Sequence, residues 1–237
     1  MNKMSSNHLK RLAMPRSWPL PRKTSVWVTR PTPGAHSLEL CMPVTLVVRD
    51  VLRLAKTARE VRFILHNELA KIDGRVVKDT RRGVGLMDVL TLGEDNYRCV
   101  LDHNGRLQYR PISADEASWK VCRIEGKTTI KGGRTQLNLH DGRNILVDDP
   151  SKDAYSTGDS LKISLPDQKV VEHIRFAEGT RCYLIGGAHV GSTAEVTEYV
   201  EKRSSMPNEV QFDGFGTVAR NVFAIGDASM PLTEVAE

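Results

Sequence analysis

Residues 44–90 read VTLVVRDVLRLAKTAREVRFILHNELAKIDGRVVKDTRRGVGLMDVL, and this stretch decides the fold of the N-terminal half. After Pro43, apolar residues recur with helical spacing along one face as far as Ala55, which predicts a first helix. Thr57 and Glu60 have the spacing of a capping box, in which the Thr side chain and the Glu side chain each bind a backbone N–H at the helix start. A second helix is therefore predicted to begin directly after the first.

Each predicted helix presents an apolar seam and, on another face, a basic stripe. The seam of the second helix consists of Val61, Leu65 and Leu69. The two basic stripes consist of Arg49, Arg53 and Lys56 on the first helix and of Arg59, Arg62 and His66 on the second. A basic face is by itself most often only a soluble surface. These stripes therefore indicate a binding surface only together with the segments around them.

A β-hairpin is predicted directly after the helices. Residues 71–77 read KIDGRVV, in which Asp73-Gly74 lies between β-forming residues, and this is a strong hairpin signal. Residues 83–90 then read GVGLMDVL, which predicts a turn leading to another strand.

The segment before the helices is basic and rich in proline. Residues 1–38 contain seven Lys and Arg and no Asp or Glu, and six of the eleven prolines lie within residues 1–43. Because proline fixes φ and biases the preceding residue to extended geometry, the segment is predicted to be an extended arm. Its cations suit a polyanion, and the indoles of Trp18 and Trp27 can stack on bases. A solvated tail and an Arg-rich organelle presequence remain alternatives, although the prolines weaken the second.

The rest of the chain predicts β-structure almost throughout. Turn signals occur at His103-Asn104-Gly105, Asp141-Gly142 and Pro166-Asp167-Gln168. Strands are predicted at 119–124, 127–131, 134–139, 143–148, 160–165 and 169–176. Short strands around the glycines of residues 179–227 predict a small barrel.

The net charge of +5 is segregated along the chain. Residues 44–92 contain ten bases and six acids, whereas residues 93–237 contain 17 bases and 22 acids. A polyanionic partner is therefore predicted to bind the N-terminal 92 residues, and the acidic β half is expected to face protein or solvent.

Patterns typical of metal, cofactor and catalytic sites are absent from the sequence. The four cysteines form no C-x-x-C pair and the seven histidines share no helical face, so neither a zinc site nor another metal site is expected. Gly186–Thr193 resembles a phosphate loop, but Ser192 stands where that loop needs Lys. Residues 217–227 (TVARNVFAIGD) look like the second flavin-binding motif of disulfide-reductase-type flavoproteins, yet the N-terminal dinucleotide unit of that fold is missing. No cofactor and no catalytic residue is therefore predicted.

Neither a membrane span nor a secretory signal is expected. Apolar runs are only a few residues long, whereas crossing a bilayer needs about 20. The N-terminus lacks the apolar segment of about 7 to 15 residues that a secretory signal requires.

At the helix pair the sequence resembles a known RNA-binding module. Residues 44–90 look like the small domain shared by ribosomal S-four proteins, pseudouridine synthases, heat-shock RNA-binding proteins and tyrosyl-tRNA synthetases. The shared features are the two helices, the Arg two residues after the capping Thr, and the closing K-I-D-G-R-V hairpin.

Nearly the whole chain resembles one family, the archaeal and eukaryotic small-subunit ribosomal protein S-four-e family. The resemblance is carried by stretches in the family's order: His8–Arg11 with Pro15 and Trp18, Arg30–Gly34 with His36, Cys41–Pro43, Thr57–Val61, Ile72–Val76, Val84–Val89, Tyr183–Gly191 and Asn221–Gly226. The short acidic tail, in place of a basic extension, favours the archaeal form. The resemblance implies a central β-domain and a C-terminal KOW-type SH3-like barrel. Ala194, where the KOW motif usually has Gly, and the acidic Glu195 and Glu198 depart from the pattern.

Together these features predict an α+β protein of four segments. These are a basic arm (1–42), the helix-pair and hairpin RNA-binding domain (43–92), a central β-domain (93–172) and the KOW-type barrel (173–237). The predicted function is that of a non-catalytic constituent of the small ribosomal subunit, located in the cytoplasm, with neighbouring ribosomal proteins as partners and a monomeric state off the ribosome. The residues predicted to bind ribosomal RNA are Lys10, Arg11, Arg16, Arg22, Lys23, Arg49, Arg53, Lys56, Arg59, Arg62, Lys71, Arg75 and Lys78.

Two other functions use the same small domain. An RNA-modifying enzyme such as a pseudouridine synthase would need a separate catalytic domain with an essential Asp. A ribosome-associated or regulatory RNA-binding factor would need only the RNA-binding surface.

Overall fold

The computed structural model describes residues 8–147 and 155–226. Within these ranges the protein is mostly β-structure with few helices, which agrees with the predicted α+β class in this broad form. The chain divides into two compact units, Met1–Val100 with Arg106–Ser113 and Leu101–Gly105 with Ala114–Glu237. Lys3, the last residue of the predicted strand at 143–148 and the acidic C-terminal tail lie outside the described residues.

From His8 onward, the first unit combines two short helices with nine strands. Its α-helices are α1 (Val44–Leu46) and α2 (Ala58–His66), and single 3-10 turns occur at Arg11–Ala13 and Leu38–Leu40. The strands are β1 (His8–Lys10), β2 (Trp27–Thr29), β3 (Cys41–Pro43), β4 (Ala70–Ile72), β5 (Arg75–Val76), β6 (Gly83–Gly85), β7 (Val89–Leu92), β8 (Asp95–Leu101) and β9 (Leu107–Ile112). β1 pairs with β2, β3 pairs with β6, and the others form a sheet in the order β5-β4-β7-β8-β9.

The first helix is shorter than its apolar pattern predicts. α1 continues as a π-helical turn over Val47–Val51, in which the Leu52 amide donates to the Val47 carbonyl at 2.9 Å. Arg53 then adopts a φ of +56°, in the left-handed region that ends a helix. The prediction that the helix reaches Ala55 is therefore wrong, because periodicity reports which residues face the core but not where the backbone hydrogen bonds stop.

The start of the second helix and the hairpin are confirmed. The Thr57 hydroxyl accepts from the Glu60 amide at 3.2 Å, and Glu60 binds the Thr57 amide in return, which completes the capping box. α2 ends at His66, so Leu69 is 50% exposed and does not extend the apolar seam as predicted. Asp73 and Gly74 have φ of +51° and +76°, which suits a tight turn between paired strands.

The second unit contains one short helix and two five-stranded sheets. The helix is α3 (Ala114–Ala117), and the first sheet, in the order β12-β11-β10-β13-β14, consists of β10 (Trp119–Thr129), β11 (Thr135–Leu139), β12 (Asn144–Val147), β13 (Ser160–Ser164) and β14 (Val170–Ile174). The second, in the order β18-β17-β16-β15-β19, consists of β15 (Arg181–Leu184), β16 (Thr193–Val200), β17 (Glu209–Phe212), β18 (Phe215–Val218) and β19 (Val222–Ala224). A 3-10 turn at Ala219–Asn221 joins β18 to β19.

Strand β10 merges two predicted strands into one. The sequence predicts separate strands at 119–124 and 127–131, but the chain stays extended from Trp119 to Thr129 with a register shift between Ile124 and Gly126. Such a bulge lets one strand pair with β13 through its first half and with β11 through its second. The core of this sheet is apolar and fully or nearly fully buried, and it contains Cys122, Ile124, Leu137, Leu139, Leu161 and Ile163.

Candidate nucleic-acid interface

Helix α2 presents the clearest basic surface. Arg59, Arg62 and His66 are all exposed and recur at the helical spacing that the sequence predicts. Val61 and Leu65 are fully buried and fix the rotation of the helix. Because the buried seam holds the helix in place, the three cationic or titratable side chains project together from one rigid element.

An exposed aromatic ring lies within the same surface. It is absent from the residues that the sequence predicts to bind RNA. Phe63 is 67% exposed and lies four residues after Arg59 and three before His66, so the three share a face of α2. An exposed ring beside these basic side chains offers a flat apolar surface on which an unpaired base can stack. The signal was available in the sequence, since Phe63 falls outside the seam of Val61 and Leu65.

The predicted stripe on the first helix does not form as one helical face. The helical turns end at Val51, so Arg53 and Lys56 lie in the exposed connection before α2 rather than above Arg49. Arg49 is half-buried and donates to both carboxylate oxygens of Asp50, at 2.9 and 2.8 Å. These hydrogen bonds raise the pKa of the Arg49 guanidinium above its usual value.

The hairpin cations are exposed but divide between two faces. Lys71 lies directly opposite Val76, whereas Arg75 lies opposite the buried Ile72, so the two side chains leave opposite faces of the β4–β5 pair. Lys78 is exposed and forms an ion pair with Glu68 at 2.7 Å, which lowers the pKa of the Glu68 carboxyl. Lys71 and Arg75 would therefore have to contact different segments of a folded RNA.

The arm is folded back on itself rather than extended. Strands β1 and β2 pair antiparallel, with His8 opposite Thr29 and Lys10 opposite Trp27. The 3-10 turn after β1 contains Arg11, which is 9% exposed. The prediction of a simply extended arm is therefore wrong for the described residues from His8 onward.

Only some of the arm's cations that were predicted to bind RNA are accessible to a ligand. Lys10, Arg16 and Lys23 are exposed, and Arg22 is half-buried with Nη1 donating to a backbone carbonyl at 3.1 Å. Arg11 instead serves the fold, because its Nε donates to the Pro21 carbonyl at 2.5 Å and its Nη1 to the Ser25 hydroxyl at 3.2 Å.

The two arm tryptophans have different roles. Trp18 is 2% exposed and its indole N–H donates to the Cys41 carbonyl at 2.8 Å, so it is a core residue and cannot stack on a base as predicted. Trp27 is 55% exposed, so a ligand can reach its ring. The sequence could not separate them, since the partner of Trp18 lies 23 residues away.

Three potential metal ligands do come together in the second unit. The donor atoms of Cys122, His140 and Asp141 lie within 4.8 Å of one another. The buried ammonium of Lys120 lies 2.7 Å from the Asp141 carboxylate, and the His140 Nδ1 accepts from a backbone amide at 3.2 Å. A positive charge against the carboxylate and an occupied imidazole nitrogen make this cluster an ion-pair network, and we assign it a structural role.

The cysteines are buried thiols. All four are free and buried. Burial raises the pKa of Cys41 to about 11 and that of Cys182 to about 12, so both thiols stay protonated at neutral pH. Among the described residues, no helix has both the length and the apolar character needed to cross a membrane.

Comparison with known proteins finds ribosomal relatives along most of the chain. The sequence model of ribosomal family S4e matches residues 93–170, and that of the RS4NT (NUC023) domain matches residues 3–39. The small ribosomal subunit protein eS4 of Methanocaldococcus jannaschii is 46% identical over 93% of this chain and 94% of its own length. The eS4 protein of Methanococcus maripaludis strain C5 is 44% identical over 92% and 93%. A crystal structure of the 30S ribosomal protein S4e from Thermoplasma acidophilum matches with a TM-score of 0.71 and 34% identity, covering 80% of this chain and 96% of that one.

Proposed function

This chain belongs to ribosomal family S4e, the family named S-four-e above, and we propose that it acts as a structural constituent of the small ribosomal subunit that binds ribosomal RNA. The archaeal relatives are named small ribosomal subunit proteins and match over more than nine tenths of this chain. The protein is accordingly assigned to cytoplasmic ribosomes. Its relatives indicate the archaeal form of the family. The observation that carries the RNA-binding role is the exposed basic face of α2 on a rigid helix.

The RNA contacts are proposed for the exposed cations of the first unit. They would pair with phosphates and position the protein, while shape and backbone are read more than sequence. The proposed contacts are Lys10, Arg16, Lys23, Arg53, Lys56, Arg59, Arg62, Lys71, Arg75 and Lys78. Arg22 and Arg49 contribute their half-exposed guanidinium groups, and Arg11 supports the fold instead.

The second sheet of the second unit is proposed to be the KOW-type SH3-like barrel. Its strand order, in which the last strand returns beside the first, and the 3-10 turn before that last strand support this assignment. Gly191 has a φ of +82°, and a Cβ there would lie 2.7 Å from the backbone of Asp102. The acidic Glu195 and Glu198 are exposed on β16, so this barrel is proposed to face protein more than RNA.

The four predicted segments are retained as a proposal. The family match to residues 93–170 supports the third segment, although β7 and β8 pair across its N-terminal boundary, so the first unit's sheet continues into it. We also propose that the chain contacts neighbouring ribosomal proteins and is monomeric off the ribosome. Analytical ultracentrifugation of the purified chain tests the last point, and a dimer would refute it.

A triple substitution tests the RNA-binding face. Replacing Arg53, Arg59 and Arg62 together by Ala should weaken binding to small-subunit ribosomal RNA and reduce the slope of log Kd against log salt by about 2, since each phosphate contact contributes roughly 0.7. Filter binding at several salt concentrations measures the slope. Thermal unfolding should change little, because all three side chains are exposed.

The matched control changes three exposed cations of the second unit. The variant Lys131→Ala, Arg175→Ala, Arg203→Ala removes the same charge from the chain and should leave the slope nearly unchanged. Equal slopes for the two triple variants would show that binding depends on net charge alone, and an unchanged slope in the first would remove these three arginines from the interface.

Fractionation separates a subunit constituent from a ribosome-associated factor. On a sucrose gradient in high salt, a constituent stays with the small subunit, whereas a factor is released. The RNA-modifying alternative is less favoured, because the relatives are named as ribosomal proteins. An assay for uridine isomerisation on ribosomal RNA would reveal such activity.

A further inference from the structure

A cleft of about 480 Å³ lies in the first unit, where the β1–β2 hairpin meets the π-helical turn. Its lining includes His8, Arg11, Ser25, Trp27, Arg30 and Arg49. The volume falls in the range of pockets that hold small ligands, roughly 300 to 1,000 Å³. The cleft combines an exposed indole with three arginines.

One wall of the cleft is aromatic. The Trp27 ring is 55% exposed, and its centroid lies 5.5 Å from that of His8 at an interplanar angle of 57°. Both side chains lie on the same face of the hairpin, because His8 pairs with Thr29 and Lys10 with Trp27. Because Trp27 is more than half exposed and lines the cleft, its ring offers a surface to a flat ligand.

The remaining lining is cationic. The Arg11 guanidinium is held by the Pro21 carbonyl and the Ser25 hydroxyl, so its charge is fixed in place. The Arg30 carbonyl accepts from the Arg81 side chain at 3.2 Å, which anchors the backbone at the end of β2. No Asp or Glu lies among the described residues that line the cleft, and Asp50 binds Arg49 from outside it.

We propose that this cleft binds a single unpaired nucleotide of RNA, with its base stacked on Trp27 and its phosphate between Arg30 and Arg49. A paired base offers no free face for stacking, whereas a base turned out of a helix offers both. A planar guanidinium such as that of Arg30 can bind two phosphate oxygens at once. Arg49 donates Nε and Nη2 to Asp50, so it would reach the phosphate through Nη1. The inference rests on the proposed RNA-binding function but assigns it a second contact point, distinct from the face of α2.

Substitutions at Trp27 test the stack in the full-length chain. The probes are a ten-nucleotide oligouridine and a blunt RNA duplex of ten base pairs, with affinities measured by fluorescence anisotropy. Trp27→Leu keeps apolar bulk but removes the aromatic face, and it should weaken oligouridine binding about 5- to 150-fold, the range found for stacked bases. Trp27→Phe keeps a ring and should bind nearly as tightly as the unchanged chain, while duplex binding should be the same in all three.

A second measurement reports the contact directly. Oligouridine should quench tryptophan fluorescence in the unchanged chain and fail to do so in Trp27→Phe, since Trp18 is buried and the half-buried Trp119 lies in the second unit, with the Lys162 ammonium 4.5 Å from its ring centroid. Arg30→Ala should reduce the salt slope for oligouridine by about 0.7, the value of one single-strand phosphate contact.

Three outcomes overturn the proposal. The first is that Trp27→Leu binds oligouridine as tightly as the unchanged chain does. The second is that Trp27→Leu loses equal affinity for oligouridine and for the duplex. The third is that polyglutamate of equal charge displaces oligouridine, which would make the cleft a site for acidic protein. If the Arg53, Arg59 and Arg62 triple variant still lowers the salt slope on ribosomal RNA while Trp27→Leu has no effect, this inference fails and the proposed function stands. If instead no variant affects binding to any RNA, the proposed function fails with it.

Discussion

Replacing Asp141 by Asn should destabilise the second unit by about 3–5 kcal/mol. The Asp141 carboxylate lies 2.7 Å from the Lys120 ammonium, and the two side chains are 1% and 0% exposed. Asn has nearly the same shape but no charge, so the Lys120 ammonium would stay buried beside a neutral amide. Removing one partner of a buried ion pair costs about 3–5 kcal/mol because the remaining charge is uncompensated.

The loss of stability caused by Asp141→Asn should depend on pH in a defined direction. Burial alone would raise the pKa of Asp141, but the charges of Lys120, His140 and Arg143 outweigh it and lower the pKa below its usual value. A carboxyl whose pKa is lowered by folding stabilises the protein above its unfolded-state pKa, about 3.9, and this stability is lost as the pH falls toward the folded value. The difference between the unchanged chain and Asp141→Asn should therefore be largest near neutral pH and shrink below about pH 4.

Urea unfolding at pH 7 and at pH 3.5, followed by circular dichroism, measures both effects. Asp167→Asn is the matched control, because Asp167 is exposed in the β13–β14 turn and should shift the midpoint little. The double variant Lys120→Met, Asp141→Leu removes both charges of the buried pair and should recover part of the lost stability, but not all of it, because Arg143, whose Nε lies 3.0 Å from the Asp141 carboxylate, loses that contact. A loss below about 1 kcal/mol for Asp141→Asn, or a loss that is equal at both pH values, would refute the reasoning.

Three further substitutions test individual structural assignments. Thr57→Ala removes the hydroxyl that accepts from the α2 backbone and should cost about 1 kcal/mol in urea unfolding, whereas Thr57→Ser should cost much less. Trp18→Ala should cost about 3–5 kcal/mol because Trp18 is a buried core residue, and RNA affinity measured well below its unfolding temperature should be unchanged; a selective loss of RNA affinity would restore its stacking role. Gly191→Ala should lower the thermal midpoint of the second unit by several degrees, since the added Cβ meets the Asp102 backbone and the residue has a positive φ, whereas Gly214→Ala should cost less because its positive φ comes with open space around the Cβ.

Local patterns in the sequence predicted local structure well. The capping box at Thr57 and Glu60 and the Asp73-Gly74 turn are both present, because each depends on atoms within a few residues along the chain. The merged strand β10 shows the limit of this reasoning. In the sequence, Gly126 indicates the end of one strand. Pairing with β11 and β13 nevertheless keeps the strand continuous around a bulge.

The sequence could not predict which polar and aromatic side chains are buried. Arg11 and Arg59 are both Arg residues in basic stretches, yet one is held by Pro21 and Ser25 in the fold and the other is exposed on α2. The cleft beside Trp27 likewise requires Arg49, which is distant in sequence and reaches it only because β1–β2 folds back against the π-helical turn.

The sequence by itself therefore determined the α+β class, the family resemblance, the segregation of charge and the turns and caps that neighbouring residues form. Tertiary structure alone decided where the first helix stops, that Trp18 and Arg11 belong to the fold while Trp27 and Phe63 are exposed, and which cations share a surface. The physical reason is that caps and turns are hydrogen-bonded within four residues of the chain, whereas exposure depends on partners that only folding brings near. The Cys41 carbonyl that binds the Trp18 indole is such a partner.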